Sequence, residues 1–194
     1  MEPPCFLSIA GPGPSRGLTG HNGSMAAKTI ALGSDDAGFH LKVALKRFLE
    51  LEGHEVVDYG TDSDEPVDYP DVALIVARAV ARGEHDRAIL VCGTGIGMAI
   101  TANKVPGVYA TVAHDPYSAA KARTSNNTQV LALGARVVAP ELAQTLVGIW
   151  LNAEFGGGGS ARKVGKIGDA ERELMNSKAQ RAAARPRRPK RASP

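Results

Sequence analysis

Short apolar runs alternate with longer amphipathic stretches through the middle of the chain, between residue 28 and about residue 175. The apolar runs are four or five residues long and rich in Val, Leu and Ala, a pattern that predicts strands. There are five of them, at residues 29–33, 55–59, 88–92, 109–113 and 130–133.

The stretches between and after these strands have helical spacing, and several begin near a proline or end just before a glycine, as helices do. They cover residues 38–51, 70–82, 98–104, 116–124 and 140–153. Strands that alternate with helices predict an α/β fold, in which helices cover both faces of a parallel sheet. After a glycine-rich break at residues 156–159, residues 161–175 predict one more helix. That helix is too weakly apolar to be buried alone, so we expect it to pack on a partner subunit.

The two ends of the chain differ from its middle. Residues 1–26 are rich in Gly, Pro and Ser and predict a disordered leader, so the folded domain is expected at residues 27–175. Residues 176–194 predict a disordered basic tail, which contains seven Lys and Arg residues and no acid from residue 178 onward. The tail has no aromatic residue on which a base could stack, so a solvated end is a better interpretation than a nucleic-acid site.

The composition limits the class of protein. With 194 residues, 43% of them hydrophobic and 22% charged, the chain has the composition of one globular domain with tails. No apolar run approaches the roughly 18 residues that a membrane span needs, and no signal peptide is evident, so we expect a cytoplasmic protein. Two cysteines cannot form a disulfide framework, and no Cys/His spacing resembles a zinc site. We therefore expect no metal and no other cofactor.

The segment at residues 90–97 carries the clearest chemical signal. Cys92 ends a predicted strand, and Gly93, Gly95 and Gly97 follow it at alternating positions. The carboxyl ends of parallel strands are where ligands gather, and closely spaced glycines let backbone N–H groups converge on an oxyanion or phosphate. A thiolate base beside an anion cradle is one interpretation, and a small buried residue before a tight turn is the other. The spacing fits neither a dinucleotide fingerprint nor a P-loop.

Other polar side chains follow the remaining strands and would meet at the same edge of the sheet: Asp35 and Asp36, His114 with Asp115, and Arg136. Carboxylates can hold hydroxyl groups, an arginine can hold a phosphate, and Cys92 with Thr94 can supply proton transfer and oxyanion support. Each residue also has a structural interpretation: a helix cap for the aspartates, a strand-end histidine, and a surface ion pair for the arginine. Their shared edge favours a sugar-phosphate pocket.

Seven segments of the chain, in the same order, resemble ribose-5-phosphate isomerase B, of the ribose-5-phosphate and galactose-6-phosphate isomerase (RpiB/LacAB) group. They are Ser-Asp-Asp-Ala-Gly at 34–38, Asp-Tyr-Pro at 68–70, Cys-Gly-Thr-Gly-Ile-Gly at 92–97, Ala-Asn-Lys-Val-Pro-Gly at 102–107, Tyr-Ser-Ala at 117–119, Asn-Asn at 126–127 and Leu-Gly-Ala-Arg at 133–136. The resemblance implies a Rossmann-like three-layer α/β/α fold with a five-stranded parallel sheet. It also implies a metal-independent aldose–ketose isomerase that interconverts ribose 5-phosphate and ribulose 5-phosphate, a pentose-phosphate pathway reaction. The enzyme would be a homodimer or a dimer of dimers with sites shared between subunits.

The resemblance also implies roles for individual residues. Cys92 would move a proton between C1 and C2 through a cis-enediolate, while Thr94 and the amides of the glycine loop stabilise the oxyanion. Asp35, with Asp36 beside it, would hold sugar hydroxyls. Asn126 would bind near the reacting carbon, and Arg136 would bind the phosphate. In the family, basic residues on the last helix come from the partner subunit. Here the candidates for them are Arg162, Lys163 and Lys166.

Two departures from the family pattern bear on the substrate. Many members have a histidine in place of Asp36, and another in place of Ser125 that acts as the ring-opening acid. A serine hydroxyl is far too weak an acid for that step, which leaves His114 as the candidate replacement. The alternative substrate is a four-carbon sugar phosphate, erythrulose 4-phosphate or erythrose 4-phosphate, which cannot close a five-membered ring. A non-catalytic sugar-phosphate binding module, and a cysteine-based acyl transferase pairing Cys92 with His114, are further alternatives.

Overall fold

The computed structural model describes residues 28–183, which form five strands, six α-helices and a short 3-10 turn at Asp36–Gly38. The strands are β1 (Thr29–Ser34), β2 (Glu55–Asp58), β3 (Arg87–Cys92), β4 (Ala110–Val112) and β5 (Val130–Gly134). The helices are α1 (Phe39–Leu51), α2 (Tyr69–Ala81), α3 (Ile96–Ala102), α4 (Pro116–Thr124), α5 (Pro140–Asn152) and α6 (Gly158–Ala183). The predicted leader, and the predicted tail beyond residue 183, lie outside the described residues.

The five strands form one parallel sheet in the order β2-β1-β3-β5-β4. The central strands are buried on both faces, which explains why they are nearly continuous apolar runs. Along β3, Ile89 and Val91 pack under α1, α4 and α5, whereas Leu90 and Cys92 pack under α2 and α3. The predicted α/β fold, with a parallel sheet covered on both faces, is therefore confirmed.

The strand order creates the place for a site. The chain passes from β1 outward to β2 and then returns to add β3 on the other side of β1, so the connections leave these two strands in opposite directions. In open α/β sheets a crevice opens at the carboxyl ends of such a strand pair. Here those ends are Ser34, followed by Asp35, and Cys92.

The last helix is longer than the sequence indicates. It begins at Gly158, within the predicted glycine-rich break, and continues to Ala183, beyond the predicted end at Met175. It touches the rest of the chain near its middle, where the Glu171 carboxylate accepts the Gly107 N–H at 2.9 Å. Within residues 28–183 no helix is long and apolar enough to cross a membrane.

The short strand β4 forms one edge of the sheet, and a side chain covers part of that edge. The Asn103 amide donates to the carbonyl of Ala110 at 2.8 Å, and its oxygen accepts the Ala110 N–H at 2.9 Å. Both backbone groups that Ala110 turns away from β5 are thereby bonded.

Candidate active site

A cleft opens at the carboxyl ends of β1, β3 and β5, as the sequence predicts. Its walls come from the turn after β1, the start of α2, the glycine loop with α3, and the residues after β5. The lining residues are Asp35, Asp36, Ala37, Tyr69, Cys92, Gly93, Thr94, Ile96, Gly97, Ile100 and Arg136.

Cys92 lies at the floor of this cleft, with 5% of its surface exposed. The Gly95 backbone N–H donates to its Sγ atom across 3.1 Å. Gly95 has a φ of +76°, and a Cβ atom at this position would lie 3.0 to 3.1 Å from the backbone of Ala132 and Leu133. Only glycine fits this conformation and this approach. The backbone of the loop therefore holds the sulfur in place. Cys92 packs in the core and also lines the cleft, with its Sγ atom accepting a backbone N–H.

Asp35 and Asp36 contribute two carboxyl groups to the lining of the cleft. Asp35 is 8% exposed, and its Oδ1 accepts the Gly38 N–H at 2.9 Å, so the capping role considered from the sequence is present. Burial raises the pKa of Asp35 above its ordinary value, with a smaller contribution in the same direction from Asp36, while the Gly38 N–H opposes the rise. Asp35 thus caps the turn after β1 and also lines the same cleft as Cys92. Asp36 is more exposed and accepts the Val67 N–H at 3.5 Å.

Arg136 supplies the positive charge of the cleft. Its backbone N–H donates to the Gly93 carbonyl at 3.1 Å, and its side chain lies 3.5 to 3.7 Å from the position a Cβ atom on Gly93 would occupy. Among residues 28–183 no carboxylate forms an ion pair with it. The guanidinium therefore stands beside the glycine loop, available to an anionic ligand.

His114 makes a contact that the sequence does not reveal. Its Nε2 atom accepts the backbone N–H of Gly134 at 2.9 Å, so the neutral ring carries its proton on Nδ1. Burial lowers the pKa of His114, and the neighbouring Asp115 opposes that shift. Among the described residues no hydrogen bond joins His114 to Cys92, so the pair that a cysteine-based acyl transferase would use is not formed.

Four other predicted site residues lie away from this cleft in the same chain. Asn126 follows α4, at the opposite end of β5 from Gly134, and lines a second cavity against β4 with Lys121 and Ile167. The three basic residues of α6 are exposed: Arg162, Lys163 and Lys166. The structure of one chain thus brings together the aspartates, Cys92, the glycine loop, Thr94 and Arg136, but not Asn126 or the basic residues of α6.

Four cleft residues were missed at the level of sequence: Ala37, Tyr69, Ile96 and Ile100. The Tyr69 ring lies over Gly97, 2.6 Å from the position of a Cβ atom there. The only sequence signal for it was its place in the Asp-Tyr-Pro segment at the start of α2. Ile96 and Ile100 are 56% and 57% exposed. Nowhere in the described part of the chain are three His, Cys, Asp or Glu side chains arranged to hold a metal ion.

Known proteins of one family are similar to this chain in sequence. The chain matches the Ribose/Galactose Isomerase family over residues 30–167. It is 54% identical over 147 residues to the D-erythrulose-4-phosphate isomerase of Pectobacterium atrosepticum, which covers 75% of this chain and 96% of that protein. It is 49% identical over 140 residues to ribose-5-phosphate isomerase B of Escherichia coli, covering 72% of this chain and 94% of that one.

A solved structure has a similar fold. Ribose-5-phosphate isomerase B of Clostridium thermocellum superposes with a TM-score of 0.74 at 50% sequence identity, over 75% of this chain and 99% of that chain. The chain therefore belongs to the ribose/galactose isomerase family.

Proposed function

We propose that the protein is a sugar-phosphate isomerase that interconverts D-erythrulose 4-phosphate and D-erythrose 4-phosphate. From the ketose, the Cys92 thiolate removes a proton from C1, and the C–H electrons form the C1–C2 double bond of a cis-enediolate. The charge on O2 is stabilised by Thr94 and the glycine loop. The proton then returns from the Cys92 thiol to C2 while the O1 hydroxyl proton passes to O2, which leaves the C1 aldehyde.

The choice of substrate rests on the ring-opening step, for which neither Ser125 nor His114 of the described chain offers a suitable acid. Ribose 5-phosphate exists mainly as a furanose ring, which an acid must open before C1 and C2 can react. Ser125 is too weak an acid, and the Nε2 atom of His114 is already bonded to the Gly134 N–H. A four-carbon aldose with its phosphate on O4 cannot form a five-membered ring. The site as it stands therefore suits a substrate that arrives open.

Ribose 5-phosphate remains the second candidate, and the sequence alone favoured it. It is supported by the Escherichia coli relative, which is named a ribose-5-phosphate isomerase B. The Pectobacterium relative, named a D-erythrulose-4-phosphate isomerase, supports the four-carbon substrate. Because relatives of this chain carry both kinds of name, substrate kinetics must decide between the candidates.

We further propose that two copies of the chain share each site. Three large apolar side chains at the mouth of the cleft, Tyr69, Ile96 and Ile100, are between 40% and 57% exposed. A second copy that covered them would bury apolar surface that is otherwise in contact with water. It would also bring Asn126 and the basic residues of α6 toward the substrate, which the same chain cannot do.

The test is the ratio of kcat/KM for erythrulose 4-phosphate to that for ribose 5-phosphate, measured with purified protein in buffer containing a chelator. We expect the ratio to exceed about ten. A ratio below one would assign the protein to ribose 5-phosphate. Binding of either sugar phosphate with no turnover would support a binding module instead. Cys92→Ala serves as the inactive control in every assay.

A further inference from the structure

The end of β5 has a backbone group that the sheet itself does not bond. Strand β4 ends at Val112, opposite Ala132, whereas β5 continues to Gly134. The Val130 N–H donates to the Tyr109 carbonyl, and in a parallel ladder this bond recurs at every second residue. The N–H of Gly134 therefore points to the side where β4 has already ended.

The His114 side chain takes the place of the missing strand. Gly134 is buried, and a buried backbone N–H needs an acceptor. The Nε2 atom of His114 accepts it at 2.9 Å. Only the neutral ring can do so, and burial lowers the pKa of His114, which favours that form.

The peptide that His114 holds lies directly against the glycine loop. A Cβ atom on Gly134 would be 2.8 Å from the Cα and carbonyl carbon atoms of Thr94, so the two backbones are in close contact. The next two residues, Ala135 and Arg136, donate their N–H groups to the carbonyls of Cys92 and Gly93 at 2.8 and 3.1 Å. The end of β5 and the Cys92 loop are thus joined at Gly134 and at the two residues that follow it.

We infer that His114 is a positioning residue: by fixing the Gly134 peptide it sets the geometry of the Cys92 loop and of Arg136. In this role it need not touch the substrate, and it is not among the residues that line the cleft. This role differs from that of the ring-opening acid predicted from the sequence. The inference rests on the proposed function only for its kinetic test.

Three substitutions separate the positioning role from an acid role. Glutamine places an amide oxygen at about the reach of Nε2 and can accept the Gly134 N–H, but it cannot act as an acid. Asparagine is too short to reach, and alanine has no acceptor. We expect His114→Ala and His114→Asn to lower kcat by about 100-fold with KM changed by less than about threefold. His114→Gln should recover kcat to within about fivefold of the wild-type value.

A second measurement needs no substrate. The rate of Cys92 alkylation by iodoacetamide, followed in a Cys5→Ser background, reports the thiolate character and the accessibility of the sulfur, both of which depend on the loop around it. We expect it to change at least about threefold in His114→Ala and His114→Asn and to return in His114→Gln. If the alanine variant does not fold, the asparagine and glutamine variants still give the comparison.

The outcomes are distinct. Equal loss of kcat in all three variants would make His114 an acid and overturn the inference, as would unchanged kcat and alkylation in all of them. If wild type turns over neither sugar phosphate but the alkylation pattern appears as expected, the proposed function fails while the positioning role stands.

Discussion

The backbone N–H of Gly95 donates to the Sγ atom of Cys92 at 3.1 Å, and the left-handed conformation of Gly95 makes this contact possible. The same residue lies against the backbone of Leu133 in β5. The position of the sulfur therefore depends on a residue with no side chain, three positions along the chain.

Replacing Gly95 by alanine should damage both stability and activity. The backbone strain of a positive φ costs about 1–2 kcal/mol for a residue with a Cβ atom, and the contact with β5 adds to it. Gly53→Ala is a matched control, since Gly53 has a φ of +84° but no atom within 4 Å of the added Cβ. Urea unfolding should show a larger loss for Gly95→Ala than for Gly53→Ala, and only the former should lower kcat. Equal losses of stability would mean that the contact with β5 is relieved by a small shift.

Replacing Cys92 by alanine should abolish turnover and leave the fold intact. Loss of a catalytic base lowers the rate by about 10²- to 10⁴-fold. A small apolar residue replaces a small, largely apolar one, so the free energy of unfolding should change by less than about 1.5 kcal/mol. Kinetics and urea unfolding of the same preparation check both. Activity that survives at more than about a tenth of wild type would place the base elsewhere.

Lys42 should matter far more to stability than Lys46, although both contact Asp58. The Lys42 side chain is 1% exposed, and its Nζ lies 2.6 Å from the Asp58 carboxylate and 2.7 Å from the Thr61 carbonyl. Lys46 is 38% exposed and lies 3.6 Å from the other carboxylate oxygen. Lys42→Met removes both of these close contacts to partly buried acceptors and should cost about 3 kcal/mol in urea unfolding. Lys46→Met should cost less than about 1 kcal/mol, and equal costs would contradict this assignment.

The free energy of unfolding should fall as the pH drops below about 6.5. Burial lowers the pKa of both His54 and His114 beneath that ordinary value, so in this range the unfolded chain binds more protons than the folded one. The stabilisation from these two histidines is therefore fully present above pH 6.5, and it is lost as the pH falls toward their pKa values in the folded protein.

His114→Gln should remove one of the two contributions and leave that of His54. Urea unfolding of wild type and variant at pH 7.5 and pH 5.5 should show a smaller loss on acidification for the variant. Asp35, whose pKa is raised, acts in the opposite direction at lower pH and is common to both proteins, so it cancels in the comparison. Parallel curves for the two proteins would show that His114 does not titrate differently on folding.

Much of the fold and part of the site could be predicted, because they depend on local pattern. Cys92, Asp35 and Arg136 each follow a strand, and parallel strands end at the same edge. The order of the strands could not be read in this way, because several orders satisfy right-handed connections. The length of α6 was underestimated because its exposed residues, including charged ones beyond Met175, carry little apolar signal.

The remaining site residues depend on features that no single segment encodes. Whether Tyr69 and Ile96 face the cleft depends on the rotation of α2 and α3 about their axes, which packing decides. The contact of His114 depends on β4 ending before β5 does. Asn126 lies at the far end of β5 because α4 runs back across the sheet, a relationship that only the assembled chain shows.

The two hydrogen bonds between Asn103 and Ala110 bear on the behaviour of the protein at high concentration. An edge strand with open N–H and carbonyl groups is a template on which another chain can add a strand and begin to aggregate. Because β4 has only three residues and the Asn103 amide occupies the outward groups of the first, little of that template is left. The asparagine of the Ala-Asn-Lys segment thus occupies groups that a strand added at this edge would need, a protection that is separate from any part in catalysis.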